Sequence, residues 1–435
     1  HYIGIQMPKA RAVAFTVLQD VLLGKTPLRQ SLANSQAFQN LNDIDRQFSR
    51  NLISTTLRHY GHIRQIIAEK MQHPLPPQAA PVELALALGI TQLYYARVPD
   101  HAAVATSVGI LENGRFSRYK GLVNAILRRC ANEREDRAAA PLAPLTNFPD
   151  WLQQSWIAAY GHETASAFAA VLLTQPPLDV TVFEDAPGFA AATNGTLLPG
   201  GTVRLSSSGL IPDLPGFPEG AFQIQEAAAS LPVKLLAESG LLGKTVIDAC
   251  AAPGGKSIQL AKAGAIVTAI DHSAARLKTM QHNLTRCVAD VRVVNADAGR
   301  WQPDAPVDIV LLDAPCSATG TLRRNPDVAW LKTPEMLDEL VGVQEKLLRR
   351  AAGWVKPGGT LLYSVCSLQP AEGEAQIKGF LAAHPDLQRA PFRAADVPVP
   401  GAVNTDGDIR ILPHYWADHG GIDGFFMARL VKKAP

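Results

Sequence analysis

Cysteine is scarce in this chain, and its placement excludes more than its number. The five cysteines stand at 130, 250, 287, 316 and 366 with no CxxC pair among them. That argues against a disulfide scaffold and a cysteine-rich zinc site, and leaves reduced thiols in a cytoplasmic protein as the expectation. No HExxH occurs among the 11 histidines, so no metal site is expected from that pattern. No run reaches the roughly 18 apolar residues that a membrane span needs. The apolar stretch Ala12–Leu23 is interrupted by Gln19 and Asp20, so it reads as an amphipathic helix and not as a signal peptide. Neither charge dominates overall: 41 Lys+Arg against 39 Asp+Glu leave a net charge of +2, which names no partner.

What is present is ample core material. The 435 residues are 47% hydrophobic and 18% charged, which excludes a disordered chain. At about 150 residues per domain the length suits roughly three domains. The charge is uneven: residues 1–140 hold 17 Lys+Arg against 10 Asp+Glu, a net of +7, which leaves −5 for the remainder. A basic lobe on a nearly neutral chain suits a polyanion such as nucleic acid, although a solvated basic helix face has the same composition. His1–Gln6 reads as a remnant ahead of a start at Met7.

Residues 9–137 read as helices throughout, with Phe48, Leu52, Ile63, Ile66 and Ile67 at helical spacings. Gly24, the Pro74–Pro77 cluster, Pro99 and Gly114 punctuate them as in a compact bundle. Ala138–Pro149 is rich in Ala and Pro and reads as a linker. A helix from Trp151 to about Leu173, then short strands at Asp179–Phe183 and Val203–Leu205, suggest a small α+β connecting subdomain over 150–240. No internal repeat is evident. From Gly243 onward, aliphatic runs at Thr245–Ala249, Ile266–Ile270, Val291–Val294, Asp308–Leu312 and Thr360–Val365 are mostly separated by helical patterns. These lie near Ser257–Lys262, Ala274–Arg286 and Met336–Arg350. Such alternation predicts an α/β domain with a mostly parallel, doubly wound sheet. Its ligands belong just beyond the carboxyl ends of the strands.

The unusual residues lie there. Cys250-Ala251-Ala252-Pro253-Gly254-Gly255-Lys256 follows the first strand, and paired glycines before a helix let a ligand approach backbone N–H groups. A phosphate-binding loop would need glycine where Cys250 stands, and GxGxxG is absent. Asp271 ends the second strand, 17 residues past Gly254, and Asp297 follows the third. Acids in these places suit ribose and base hydroxyl or amino groups, or simply cap helices. Asp313-Ala314-Pro315-Cys316-Ser317 follows the fourth strand and Val365-Cys366-Ser367 the fifth. If those strands are neighbours, Asp313, Cys316 and Cys366 share one cleft. A lone Cys after a strand is usually a small buried hydrophobe, whereas two thiols and a carboxylate in one pocket suit thiolate addition to an electron-poor carbon, with the acid supplying the proton that makes a ring electrophilic. Arg323 and Arg324 could contact phosphates or form a solvated turn.

The stretches Cys250–Lys256 (CAAPGGK), Asp313–Gly320 (DAPCSATG), Arg324–Asp327 (RNPD), Val365–Ser367 (VCS) and Asp423–Phe426 (DGFF) together resemble the signature of RNA (cytosine-5) methyltransferases. The basic lobe, with Leu122–Arg129 (LVNAILRR), resembles the NusB fold. Nearly the whole chain after Met7 is thus similar to bacterial 16S rRNA methyltransferases of the RsmB (Fmu/Sun) type. The resemblance implies three domains: a helical NusB-like RNA-binding domain over 7–137, the connecting subdomain over 150–240, and a Rossmann-like class I methyltransferase domain over 241–435. It implies S-adenosyl-L-methionine over Cys250–Lys256, with Lys256 near its carboxylate, Asp271 at the ribose, Asp297 at the adenine end and Asp313 also among the cofactor-binding residues. Cys366 would attack carbon 6 of a flipped-out cytosine, Asp313 would bond to or protonate ring nitrogen 3, and Cys316 would assist release. The implied partner is 16S rRNA, bound by a cytoplasmic monomer that needs no membrane.

Three positions depart from the family pattern. Ala371-Glu372-Gly373 replaces a Glu-Glu-Asn-like element, the segment Asn295–Arg300 is one residue longer, and Gln225-Glu226 stands for Gln-Asp. Methylation of tRNA or 23S rRNA, a phosphate-loop nucleotidase resting on Gly255-Lys256-Ser257, and a non-catalytic RNA-binding assembly factor are the competing readings.

Overall fold

The computed structural model describes residues 9–206 and 210–435, so the proposed remnant His1–Gln6 and the start at Met7 lie outside the described residues. Among the described residues two compact units form: those of 9–174 with 322–332, and those of 175–206 and 210–321 with 333–435.

The first unit is all-helical. Its central helix Ala80–Tyr94 is buried on nearly every face, from Val82 to Leu93. A helix apolar all round must be surrounded, and Lys9–Leu22, Asp43–Arg58 and Lys120–Asn132 each turn an amphipathic stripe into the same core. On the last of these Val123, Ile126, Leu127 and Cys130 face inward while Arg128 and Arg129 stay exposed. The stretch expected to be a linker is packed against this unit. Asn147 is buried, donates to the Arg58 carbonyl at 2.8 Å and accepts from the His62 N–H at 2.9 Å. The single helix expected over 151–173 is two, Asp150–Tyr160 and His162–Leu172. Gly161, at φ +80°, breaks it in a conformation that other residues avoid.

Leu322–Lys332 joins the same unit although it lies between methyltransferase-like motifs in the sequence. Asp327 Oδ2 accepts from the Leu28 N–H at 2.9 Å, and the Trp330 indole donates to the Leu57 carbonyl at 2.9 Å. Arg58 donates to the Arg323 carbonyl at 2.8 Å, and Arg323 itself is 1% exposed. Neither reading open for Arg323, a phosphate contact or a solvated turn, holds: its side chain lies inside the unit, away from solvent.

The second unit opens with a small antiparallel sheet of β1 (Leu178–Val182), β2 (Thr196–Leu197), β3 (Val203–Leu205) and β4 (Phe222–Ile224), in the order β2-β3-β1-β4. A larger sheet follows, built from β5 (Thr245–Ala249), β6 (Ile266–Asp271), β7 (Val291–Asn295), β8 (Val307–Asp313) and β9 (Val355–Val365). It is completed by β10 (Leu387–Arg389), β11 (Ile409–Ile411) and β12 (Phe425–Lys432). Its order is β10-β12-β9-β8-β5-β6-β7, with β11 also on β12. β9, β8, β5, β6 and β7 run parallel, and β12 is antiparallel to β9. This is the mostly parallel mixed sheet expected, with the strand order reversing beside β5, where such sheets bind ligands. Val310, Leu311 and Leu312 are fully buried, as in a strand covered on both faces. Among the described residues, no helix is long and apolar enough to cross a membrane.

Candidate active site

β5 ends at Ala249, and the loop after it turns sharply into the helix Gly255–Lys262. Gly254 makes that turn at φ +103°, where a Cβ would also strike Met280 Cγ at 2.7 Å. Cys250 holds φ +60°, a conformation uncommon outside glycine. The loop is tied to β6: the Ala251 N–H donates to the Ile270 carbonyl at 2.9 Å and the Ala252 N–H to Asp271 Oδ2 at 3.1 Å. The buried Asp271 carboxylate also takes the Ser273 N–H at 2.9 Å and pairs with Arg276 at 3.3 Å. Arg276 additionally donates to the Ala252 carbonyl. Pro253 is exposed on this loop, with Ala251, Ala252 and Gly254 buried behind it and Gly255 half-buried. Asp297, after β7, is more than half exposed and caps its own turn through the Gly299 N–H at 2.8 Å.

Asp248, the penultimate residue of β5, carries the deepest carboxyl beside this loop. It is buried, accepts from Ser257 Oγ at 2.6 Å, and its Oδ1 has no partner among the described residues. Burial pushes its pKa up to about 7, further than the Ser257 bond and the Lys256 charge pull it down. A carboxyl whose folded pKa lies above the unfolded value of about 4 weakens the fold progressively from pH about 4 to about 7, and by a constant amount above that. Asp248→Asn keeps an oxygen for Ser257 and removes this cost. The gain in Tm of the variant over the parent, scanned by calorimetry, is expected to grow between pH 4 and 7 and then level off. A pH-independent difference would contradict the buried-carboxyl account.

The ladder between β8 and β9 decides the rest. Asp313 pairs with Ser364 in register, and the chain carries Cys316 and Cys366 out of the two strand ends side by side. Their sulfurs stand 3.6 Å apart, and both side chains are half-buried. Asp313 Oδ1 accepts from Ser364 Oγ at 2.9 Å, and Oδ2 from Lys256 Nζ at 2.7 Å. Lys256, expected near a cofactor carboxylate, thus commits its ammonium to Asp313. Burial works against that charge, but Asp313 and Asp248 outweigh it and raise the lysine pKa. The Phe425 ring lies 5.9 Å from the same ammonium. The Cys316 thiol is held well above its ordinary pKa by its bond to Cys366, by burial, and by the charges of Cys366 and Glu372. Cys250 is pushed up to about 12, first by burial and then by Asp313, Asp271 and Asp248. It stays a neutral packing group against the core that also borders Cys316.

Gly320 and Gly424 bring the DGFF segment against this cleft. The Gly320 N–H donates to the Cys366 carbonyl at 3.0 Å, and the Gly424 N–H to the Gly320 carbonyl at 2.9 Å. A Cβ on Gly320 would lie 2.0 Å from the Gly424 carbonyl oxygen, so only glycine permits this approach. Glu226 of the departing Gln-Glu pair links the same segment to the small sheet's exit by accepting from the Asp423 N–H at 2.8 Å. Among the described residues no group of three or more His, Cys, Asp or Glu side chains is placed to hold a metal ion. Sequence reasoning gave no role to Ser364, two residues before Cys366, and met Glu372 only as part of the departing Ala371-Glu372-Gly373 element.

A family model described as 16S rRNA methyltransferase RsmB/F matches residues 241–431, and the NusB family model matches residues 8–132. The chain is 33% identical to ribosomal RNA small subunit methyltransferase B of Pseudomonas putida, covering 98% of each protein. It is 32% identical to a probable ribosomal RNA small subunit methyltransferase B of Synechocystis, covering 98% of this chain and 100% of that one. Among solved structures, the crystal structure of PH0851 aligns with a TM-score of 0.73 at 22% identity, over 98% of this chain and all of that one. NSun6 from Pyrococcus horikoshii aligns with a TM-score of 0.56 at 20% identity, over 66% of this chain and 99% of that one.

Proposed function

Because the chain belongs to the RsmB/F family of 16S rRNA methyltransferases, we propose that it methylates carbon 5 of a cytosine in 16S rRNA through a covalent Cys366–cytosine adduct. It is an S-adenosylmethionine-dependent rRNA methyltransferase. The observation that carries the finer reading is the pairing of Asp313 with Ser364, which sets two thiols 3.6 Å apart beside a carboxylate.

S-adenosylmethionine fits the residues present. The N–H groups at the positive end of the helix after Gly254 suit its carboxylate, Asp271 its ribose and Asp297 its adenine end. Asp248 Oδ1 adds a buried acceptor that no described residue uses. The cofactor supplies an electrophilic methyl group. The neutral cytosine ring is too poor a nucleophile to take it, and covalent addition corrects this. The Cys366 thiolate adds to carbon 6, and Asp313 holds or donates the proton at nitrogen 3. Lys256 and Ser364 fix the two oxygens of Asp313 so that the carboxyl meets the ring in one orientation. Carbon 5 then carries the electron density that accepts the methyl group. Loss of the carbon-5 proton to solvent, with return of the nitrogen-3 proton to Asp313, re-forms the ring double bond as the Cys366 thiolate leaves. Cys316, 3.6 Å from the Cys366 sulfur, assists that departure.

Bisulfite sequencing of 16S rRNA from a strain lacking the gene is expected to show one or more 5-methylcytosines lost. Survival of every such position would overturn the substrate assignment.

The base must leave its stack to reach the cleft, and flanking phosphates must be held while it does. Exposed Arg29 and Arg50 border a recess of about 690 Å³ in the helical unit, which Arg324 and Asn325 also line. We assign part of the RNA backbone to this recess, bound by a protein monomer. Arg29→Ala with Arg50→Ala is expected to weaken RNA binding by about tenfold at low salt and to reduce the salt slope by about 1 to 2. Fluorescence anisotropy against salt measures both; an unchanged slope would remove the two arginines from the interface.

A further inference from the structure

The departing Ala371-Glu372-Gly373 element conceals the most constrained carboxyl group in the second unit. Glu372 is 0% exposed, and among the described residues it has no cationic partner within ion-pair distance. Four donors converge on it instead. Oε1 accepts from the Ser317 N–H at 2.7 Å and from Gln344 Nε2 at 3.1 Å. Oε2 accepts from Ser317 Oγ at 2.6 Å and from the Ser367 hydroxyl. Its own backbone carbonyl accepts from Tyr363 OH at 2.6 Å, which anchors it to β9.

Ser317 and Ser367 are the residues immediately after Cys316 and Cys366. The two hydroxyls lie 3.2 Å apart, each also near Thr319, whose Oγ1 accepts from the Leu368 N–H at 3.0 Å. Gln344 adds a second brace, because the same Nε2 that reaches Glu372 donates to the Pro315 carbonyl at 2.9 Å. Both cysteine loops are therefore tied at the position adjoining the sulfur, and both ties end on one carboxyl group. Burying an acid without a cation is costly, and it persists where hydrogen bonds satisfy it and the arrangement is needed.

We propose that Glu372 is the positioning residue of the cysteine pair: it pins the loops of Cys316 and Cys366 together through Ser317 and Ser367, so that the sulfur that attacks and the sulfur that assists release face each other across one substrate. The proposal rests on the reading of the two thiols given above. It adds a residue that touches neither substrate nor cofactor and acts through the serines.

The test separates the two. In a glutathione redox buffer, the effective concentration of one thiol against the other is read from the equilibrium in which oxidised glutathione converts the Cys316–Cys366 dithiol to a disulfide and is itself reduced to two glutathione thiols. This needs no RNA and no cofactor. In the full-length protein, Glu372→Ala is expected to lower that effective concentration by about tenfold or more. It should also lower kcat by about tenfold or more, with KM for RNA and the cofactor Kd within about threefold. Glu372→Gln, which keeps one oxygen and the side-chain volume, should recover most of both quantities. If Glu372→Ala does not fold, Ser317→Ala combined with Ser367→Ala removes the same ties at less cost in volume and should show the same loss. An effective concentration equal to the parent's in a folded Glu372→Ala or double-serine variant overturns the proposal. A parent protein that never methylates RNA, with the thiol pair still loosened in the variants, leaves the positioning role standing and overturns the cytosine-5 reading instead.

Discussion

Cys366→Ala is expected to abolish methyl transfer, by on the order of 10³-fold or more, and to form no covalent complex with RNA. Cys316→Ala is expected to do the opposite with the adduct. Attack and methylation still proceed, release fails, and a denaturant-resistant protein–RNA species accumulates. The structure gives the two sulfurs nearly equivalent places, 3.6 Å apart at the ends of neighbouring parallel strands. Cys316 is held well above the ordinary thiol range by its bond to Cys366, by burial and by neighbouring charge, which makes it a poor source of thiolate and a good resting place for a proton. A slower band on a denaturing gel that disappears with nuclease identifies the adduct. Its accumulation in Cys366→Ala and absence from Cys316→Ala would exchange the two roles.

The second large effect belongs to Asp313. Asp313→Asn retains the shape of the carboxyl and loses its ability to hold a proton for ring nitrogen 3, so turnover is expected to fall by about 10²- to 10⁴-fold. Cofactor binding, measured by calorimetry, should stay within a few-fold. Lys256 supplies the check. Its ammonium stands 2.7 Å from Asp313, and in Asp313→Asn it loses that partner while remaining largely buried. Lys256→Met alone is therefore expected to lower single-turnover methylation by about tenfold or more while leaving the cofactor Kd nearly unchanged. A cofactor Kd that rises steeply in Lys256→Met, with single-turnover methylation at saturating cofactor unchanged, would return the lysine to the cofactor carboxylate.

Lys256 also marks where sequence legibility ended. Its place in the glycine loop was evident, and the loop's position after a strand was correct. Its direction was not, because a helix's first turn can aim a lysine at several strand ends and only the packed sheet selects one. The same holds for the acids. Asp271 and Asp297 both follow strands as expected, yet Asp271 is buried and tied to the loop while Asp297 is more than half exposed. Gly161 shows the local counterpart: apolar spacing runs on through the break, and only the backbone conformation at φ +80° divides the helix.

By itself the sequence determined the five parallel strands of the larger sheet and the main helices between them, because aliphatic runs and helical spacings report local burial; it did not mark β2, β4 or β10–β12. It also determined that the unusual residues follow strands. Tertiary structure alone decided which strand ends meet. The pairing of Asp313 with Ser364 brings together two cysteines 50 residues apart, Gly320 meets Gly424 backbone to backbone, and Glu372 closes under both loops. Leu322–Lys332 packs into the helical unit although its neighbours in the chain belong to the sheet. Periodicity along a chain records which face of each element is buried. It carries no record of the partner that buries it, and the chemistry of this cleft is made from partners.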